Sequence, residues 1–469
     1  MNFTDAKTRG FAILMVFSMF ISASVVMFAD DSDAAVSTDA AGRTLESSYN
    51  TERIMTVGVG TLRWVCYFGH SDDVVCIDAG DANAASWNGK AYRSLFDFNQ
   101  AGLVSQMSGA NINPTESHVT TYGMAAHDHN GFSSANLEAL NDWTAKPTVS
   151  IISKTVYNGF SNEMKSGLDS ITKVVVIEEV DAFLDSNNNL SEGFNTNLGI
   201  LAHVFNDSAR ADALKNSING FVSDIKSLIN GKTCKFEDAY VGSASQSGAK
   251  VLTWSVGDYV PFKLAGVKNG YENSSSIATD AGSEAMSKAT PSVIFLDLSG
   301  TTKHLDSASE SVLTYAALNK TPIYTVLPYF WFGFNFDNAI ADAYLMVYAC
   351  YDNVLTFDQC VAKIKAVYQA FFPEMTNGQT ALDGFDSYYS TKGSLLTFDG
   401  QAYNYDSAQS KFVTIDRPAG DVAAPADPAD PADPAGNDNK NDNTVLYIGA
   451  AAGALIVVAL LAIVLIKRK

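Results

Sequence analysis

Cysteine, histidine and basic residues are all scarce in this chain of 469 residues. Five cysteines (Cys66, Cys76, Cys234, Cys350 and Cys360) have no metal-finger spacing and are too few for a disulfide scaffold. One or two bridges remain open, with at least one thiol left over. Lys and Arg number 31 against 51 Asp and Glu. Such a surface repels phosphates, so no nucleic-acid partner is expected. Phosphate-loop and nucleophile-elbow motifs are missing as well. Gly242-Ser-Ala-Ser-Gln-Ser-Gly248 does not have the spacing of a hydrolase elbow, and Gly58-Val-Gly60 lacks the third glycine of a dinucleotide fingerprint. No pair of carboxylates is marked out for acid–base work. The sequence offers no catalytic constellation, and neither a cofactor nor a resident metal is expected.

Long apolar runs occur only near the two ends. Lys7 and Arg9 precede an apolar run over 11–28, which a small residue, Ala29, closes. This is the build of a secretory signal, read as 1–29. At the other end, 445–466 carries no charge and is followed by Lys467-Arg468-Lys469. That run spans roughly 33 Å as a helix, enough for one membrane crossing with the basic tail cytoplasmic. The expected location is therefore the cell membrane, single-pass, with the body extracytoplasmic. Between body and anchor, 418–443 repeats Ala-Asp-Pro. Proline and like charge keep it extended, so it reads as a stalk reaching at most roughly 80 Å. Asn-x-Ser/Thr triplets at Asn189, Asn206, Asn273 and Asn319 fit a secreted body.

Within the body, strand-like runs (53–59, 74–77, 148–152, 173–177, 239–242, 292–296 and 322–326) alternate with helical patterns at 61–68, 136–143, 283–289 and 338–351. That alternation predicts the α/β class with mostly parallel sheets. A long helical stretch over 191–230 places Leu214, Ile218, Phe221, Val222, Ile225 and Leu228 on one face. Gly193, Gly199 and Gly220 interrupt it, predicting two helices or a kink. The two halves echo each other. Asn136-Leu-Glu138-Ala-Leu leads to Pro147-Thr-Val-Ser-Ile, and Gly282-Ser-Glu284-Ala-Met leads to Pro291-Ser-Val-Ile-Phe. Proline ends each helix and starts an extended run. The expected organisation is an N-terminal lobe over 45–185, a helical spine over 186–232 and a C-terminal lobe over 233–400.

Six aromatics fall between Tyr329 and Phe336, after a strand and before a helix that Asp337 or Asn338 would cap. Loops at the carboxyl ends of strands are where open α/β sheets bind ligands, and aromatics there suit a large, flat, partly apolar one. Tyr329, Trp331 and Asn335 are thus candidate ligand contacts, as is Trp254 after an earlier strand. The Gly60 turn opens a helix whose N–H groups suit an anion. His127-Asp128-His129 places two imidazoles on one face of an extended segment, able to meet one metal or ligand. The long segment 79–135, with Tyr122, His127 and His129, is expected to shape the site.

Glu52-Arg53-Ile-Met-Thr-Val-Gly58-Val-Gly60-Thr-Leu62-Arg63, continuing through Cys66-Tyr-Phe-Gly69 to Asp73-Val-Val-Cys-Ile-Asp78, resembles the opening of the iron-siderophore, haem and cobalamin class (class III) of ABC-transporter substrate-binding proteins, in its archaeal form. Leu198-Gly-Ile-Leu-Ala202 with Ala209-Arg-Ala-Asp-Ala-Leu214 is similar to the family's spine, and Tyr240-Val-Gly242, 291–297 and Tyr324-Thr-Val-Leu-Pro-Tyr329 to its second lobe. The resemblance covers about 51–390. It implies capture of a ferric siderophore, haem or cobalamin in a cleft between two lobes, and delivery to an ABC permease and its ATPase. It places Glu138 and Glu284 at the positions that dock on permease arginines, and Arg63 beside the cleft, ready for a ligand carboxylate or phosphate. The chain departs from the family at Thr148 and Ser292, where the family has aspartate. Two other readings stand beside it: a surface adhesion or envelope protein, and a chelatase-like enzyme acting on a tetrapyrrole with His127 or His129 as metal ligand.

Overall fold

A computed structural model of the chain describes residues 36–58, 60–78, 81, 90–95, 120–122, 132, 134–143, 146–180, 183–185, 187–245, 248–282, 284–330, 334–391 and 396–415. The leader 1–29, the stalk 418–443 and the apolar run 445–466 lie outside them. Among the described residues no helix is long and apolar enough to cross a membrane.

The N-terminal lobe runs β1 (Ile54–Val57), α1 (Thr61–Tyr67), β2 (Val74–Asp78), β3 (Thr120–Tyr122), α2 (Ser134–Asp142), β4 (Val149–Ser153), α3 (Lys154–Gly159), α4 (Asn162–Ile171) and β5 (Lys173–Ile177). Its sheet has the order β3-β2-β1-β4-β5 and is parallel throughout. The spine follows as α5 (Glu192–Val204) and α6 (Ser208–Ile229). The C-terminal lobe contains β6 (Ala239–Gly242), β7 (Trp254–Ser255), α7 (Val260–Ala265), β8 (Thr279–Asp280), α8 (Ala285–Ala289), β9 (Val293–Asp297), α9 (Glu310–Asn319), β10 (Ile323–Val326), α10 (Phe336–Cys350), α11 (Phe357–Phe371), α12 (Gln379–Thr391), β11 (Ala402–Asp406) and β12 (Lys411–Ile415). Its sheet, β12-β11-β10-β9-β6, is parallel over β10, β9 and β6, and its edge is an antiparallel hairpin. That hairpin carries the second lobe past residue 400 to 415.

Strands buried on both faces send alternate side chains to opposite sides. In the first sheet Ile54, Val149, Ile151, Val175 and Ile177 enter one apolar cluster, while Met55, Val57, Ile152, Val174 and Val176 enter another. In the second sheet Val293, Phe295 and Val326 share the first of these clusters, and Ile294, Leu296 and Ile323 form a third. The spine belongs to the shared cluster, through Leu198, Leu201, Leu214, Ile218, Val222 and Ile225. One continuous core therefore joins both lobes to the spine.

The spine breaks at Phe205–Asp207, away from its glycines. Asn206 takes a left-handed φ of 51°, and the Asp207 side chain caps α6 by accepting from the Arg210 N–H at 2.9 Å. Arg210 then fastens both lobes. Its guanidinium donates to the Tyr67 carbonyl at 2.5 Å on one side, and to the Ala370 and Phe371 carbonyls at 2.8 and 2.9 Å on the other. Burial lowers its pKa to about 10, which leaves it charged at neutral pH. The free edge of β5 is covered by residues 36–46: Ala40 N–H donates to the Val176 carbonyl, and the Asp39 carboxylate accepts from Val176 N–H, both at 3.0 Å.

Replacing Arg210 with Ala removes three charge-assisted bonds at the joint of the lobes. The expected cost is about 2 kcal/mol in urea unfolding, with faster amide exchange near Tyr67 and Phe371. Unchanged exchange at both places would contradict the strut.

Candidate functional site

The first sheet reverses its strand order between β1 and β4, and the crevice outside the carboxyl ends of such a pair is the favoured ligand position in open α/β sheets. The turn after β1 is built for close approach. Gly58 and Gly60 have φ of 99° and 89°, and a Cβ on Gly58 would stand 2.5 Å from Ser153 Oγ at the end of β4. Gly60 then opens α1 without a side-chain cap.

The helix α1 carries Arg63 and Tyr67 one turn apart, on a face directed at the second lobe. Arg63, 2% exposed, donates to the Phe334 carbonyl and to Asn335 Oδ1. Tyr67 donates its hydroxyl to Asp337 Oδ1 at 2.9 Å. The carboxyl edges of the two sheets therefore meet here: Arg63 and Tyr67 follow β1, and 334–337 follows β10. Arg63 also lies 5.4 Å from the Tyr92 ring and 5.8 Å from that of Phe336. Burial opposes its charge, but the Tyr92 and Tyr67 hydroxyls, Asp337 and Asp81 more than offset this and hold its pKa above the ordinary value.

Beside it, Asp81 Oδ1 accepts from Lys90 Nζ and the Tyr92 hydroxyl, both at 2.7 Å, and the Asp81 carbonyl accepts from Arg93 at 2.8 Å. Burial pulls the Lys90 pKa down against the attraction of Asp81. Asp337 is pushed up by burial, against Arg63 and Tyr67. Arg63 Nε, Asp81 Oδ2 and Asp337 Oδ2 are buried with no hydrogen-bond partner among the described residues. Three cations and two carboxylates thus form a buried seam between the lobes, with polar capacity left over for a ligand or water.

The sequence candidates fall into three groups. Arg63, Tyr329 and Asn335 come together at this seam, but each is buried and engaged with protein. Arg63 is committed to Phe334 and Asn335, so a ligand would meet its guanidinium only by displacing them. The aromatic segment folds back on itself through a Phe330–Phe334 bridge and an Asn335 N–H bond to the Tyr329 carbonyl at 3.0 Å. Its rings pack together, Tyr329 to Phe330 at 4.4 Å and Phe330 to Phe334 at 4.6 Å. Neither Asp337 nor Asn338 caps α10. Asn335 occupies the cap position without a side-chain bond to the helix N–H groups, Asp337 turns to Tyr67, and the Asn338 amide donates to the Pro328 carbonyl.

Trp254 is half-buried in β7, with Lys250 Nζ 4.2 Å over its ring. Tyr122 closes β3 opposite Asp78, at the carboxyl edge of the first sheet. His127, His129 and Trp331 lie outside the described residues. Glu138 and Glu284 are both exposed, far from the buried seam in character. The helix α2 starts at Ser134, which puts Glu138 in its second turn and not its first, whereas Glu284 immediately precedes α8 and pairs with Lys288 at 3.6 Å.

Sequence reasoning missed Tyr67, Asp81, Lys90, Tyr92 and Arg93. Tyr67 alone had a signal, its spacing of four from Arg63. A second buried acidic group was missed at the carboxyl end of β9. Asp297 accepts from the Ser299 and Tyr329 N–H groups at 2.8 and 3.0 Å, and its carbonyl bonds the buried His304 imidazole at 3.1 Å. Nearby, Asp342 accepts from Leu327 N–H at 2.8 Å and faces the Tyr259 hydroxyl. Burial raises Asp297 from 3.8 to about 7 and lowers His304 from 6.5 to about 4.

These two groups titrate with opposite signs. The raised Asp297 contributes stability that is complete below its unfolded value and is lost as pH rises towards 7. The depressed His304 contributes stability that is lost as pH falls from 6.5 towards 4. Relative to the wild type, Asp297→Asn should gain up to about 4 kcal/mol as pH rises from 4 to 7, and His304→Phe up to about 3 kcal/mol as pH falls from 6.5 to 4. Urea unfolding across that range measures both, and parallel curves would refute the assignment.

Comparison with known proteins adds a family match. Residues 108–324 match the family described as periplasmic binding protein. No curated protein matches the chain. Similar solved structures include a periplasmic solute binding protein from Veillonella parvula, 14% identical over 72% of this chain and 92% of that one, with a TM-score of 0.48. The periplasmic haem-binding protein HutB of Vibrio cholerae is 15% identical over 64% and 98%, with a TM-score of 0.41. The molybdate-bound MolA of Haemophilus influenzae is 13% identical over 75% and 96%, with a TM-score of 0.40. The matched stretch takes in β4, β5, the whole spine, β6 and β9, so the likeness to the periplasmic binding protein family runs through both lobes and supports a solute-binding role for the body.

Proposed function

We propose that this chain is the extracytoplasmic, membrane-tethered solute-binding subunit of an ABC importer, and that it captures an iron complex or corrinoid (a ferric siderophore, haem or cobalamin). The observation that carries this reading is the meeting of the parallel strands of two sheets, carboxyl edge to carboxyl edge, over the buried seam of Arg63, Asp81 and Asp337. Binding needs no bond-making there. A small opening at the seam exchanges the Phe334 carbonyl and Asn335 side-chain oxygen for an anionic group of the ligand, to which the Arg63 fork donates in their place. Half-buried Trp254 offers aromatic surface for a flat ligand, and Tyr122, His127, His129, Tyr329 and Trp331 remain candidate contacts from the sequence.

Delivery requires a second surface. Glu138 and Glu284 are exposed beside the helix–proline–strand units that lead into β4 and β9, one on each lobe. Carboxylates held apart by a stiff spine suit docking on two permease arginines, after which the partner ATPase drives transfer. The stalk 418–443 and the apolar run 445–466 keep the body close to its permease and raise its effective concentration there.

Thermal unfolding of the full chain against haem, cyanocobalamin and ferric chelates tests the capture step. A ligand at 100 times its Kd should add about 2.7 kcal/mol. A saturable rise with one class supports the receptor, and no rise with any of them removes this ligand assignment. Reversing charge at Glu138 and Glu284 together should leave the thermal shift intact and abolish uptake by cells carrying the cognate permease. Uptake at the wild-type rate would remove the docking role.

A further inference from the structure

We propose that Cys234 and Cys350 are a disulfide-forming pair that locks the exit of the spine to the end of α10. All five cysteines carry free thiols in this structure. Cys234 lies between α6 and β6, and Cys350 is the last residue of α10. The two segments run side by side: Lys235 N–H donates to the Cys350 carbonyl at 2.9 Å, and Lys235 Nζ reaches Asp352 Oδ1 at 3.1 Å. That backbone bond sets Cys234 next in the chain to the partner of the Cys350 carbonyl, and each thiol is near enough to shift the titration of the other. Cys66 and Cys76 belong to different apolar clusters of the first lobe, which keeps those two apart in the folded state.

The pair also has the asymmetry that thiol–disulfide exchange uses. Cys234 is half-buried, and its hydrogen bond from Cys350 outweighs burial and brings its thiol down to about 7. Burial pushes the Cys350 thiol up. Cys234 is therefore the attacking thiolate and Cys350 the resolving one. With a small-molecule disulfide of the glutathione type as oxidant, the Cys234 thiolate attacks one oxidant sulfur and releases the first glutathione thiolate. Cys350 loses its proton and attacks Cys234 Sγ, releasing the second. The protein loses two protons and two electrons, and the oxidant takes them up to become two thiols. The bond closes the loop 234–350, which holds β6, β9 and β10, and so constrains the unfolded form of the second lobe. The pairing is independent of the bound ligand. Only its formation in the cell rests on the extracytoplasmic reading above.

The test uses purified full chain, reduced, treated with oxidised glutathione at neutral pH, alkylated after unfolding, digested and mapped by mass spectrometry. The expected result is one cross-linked peptide pair joining Cys234 to Cys350, lighter by two hydrogens than its reduced parts, with Cys66, Cys76 and Cys360 alkylated. In Cys350→Ala the glutathione should remain on Cys234. Recovery of Cys234 and Cys350 both alkylated from the oxidised wild type, or a bridge to any other cysteine, would overturn the proposal, whether or not the variant folds. Because no ligand takes part, failure here is distinct from failure of the solute-binding reading.

Discussion

Two parallel sheets must each be covered on both faces, and this protein meets that requirement with one apolar cluster shared between its lobes. The inward sides of β1, β4 and β5 and of β9 and β10 belong to it, together with the buried stripe of α6. Everything else about the body depends on that sharing. It makes the spine a structural beam and not a linker, and it places the loops after β1 and β10 within hydrogen-bond reach. Arg210 reinforces the joint by satisfying carbonyl groups of both lobes from a single side chain.

Against this apolar background the charges of the seam are costly. A buried ion pair seldom repays its desolvation when compared with hydrophobic packing, and unpaired polar atoms add to the cost. Arg63, Asp81 and Asp337 nevertheless sit where the sheet edges meet, each with a polar atom unpartnered among the described residues. Asp297 and Asp342 extend the same pattern into the second lobe, with carboxyl groups pushed upward by burial. The shared core and the Arg210 strut hold the lobes together around these buried charges.

Strand and helix assignments were legible because burial on both faces produces apolar runs that composition alone reveals. All seven runs expected as strands became strands, from β1 to β10. The break in the spine was foreseen for the wrong reason. Gly199, where a Cβ would stand 2.8 Å from Val36, and Gly220 both stay helical, and the chain turns instead at Asn206 and Asp207. Helix α11 has a sequence-readable start in the Thr356–Gln359 capping box. The hairpin β11–β12 is an edge element whose alternation is half polar, so its place beside β10 is a matter of pairing and not of composition.

The sequence alone determined the α/β class, seven of the strands and the helical stretch that joins the two sheets. These are local properties: period, capping, charge and aromatic density act over a few residues. Only the tertiary structure decided that Arg63 turns inward to Asn335, that Tyr67 finds Asp337, and that Cys234 lies against Cys350. The partners in those pairs are more than 100 residues apart, and no local pattern encodes which distant side chain a packed core will place opposite another.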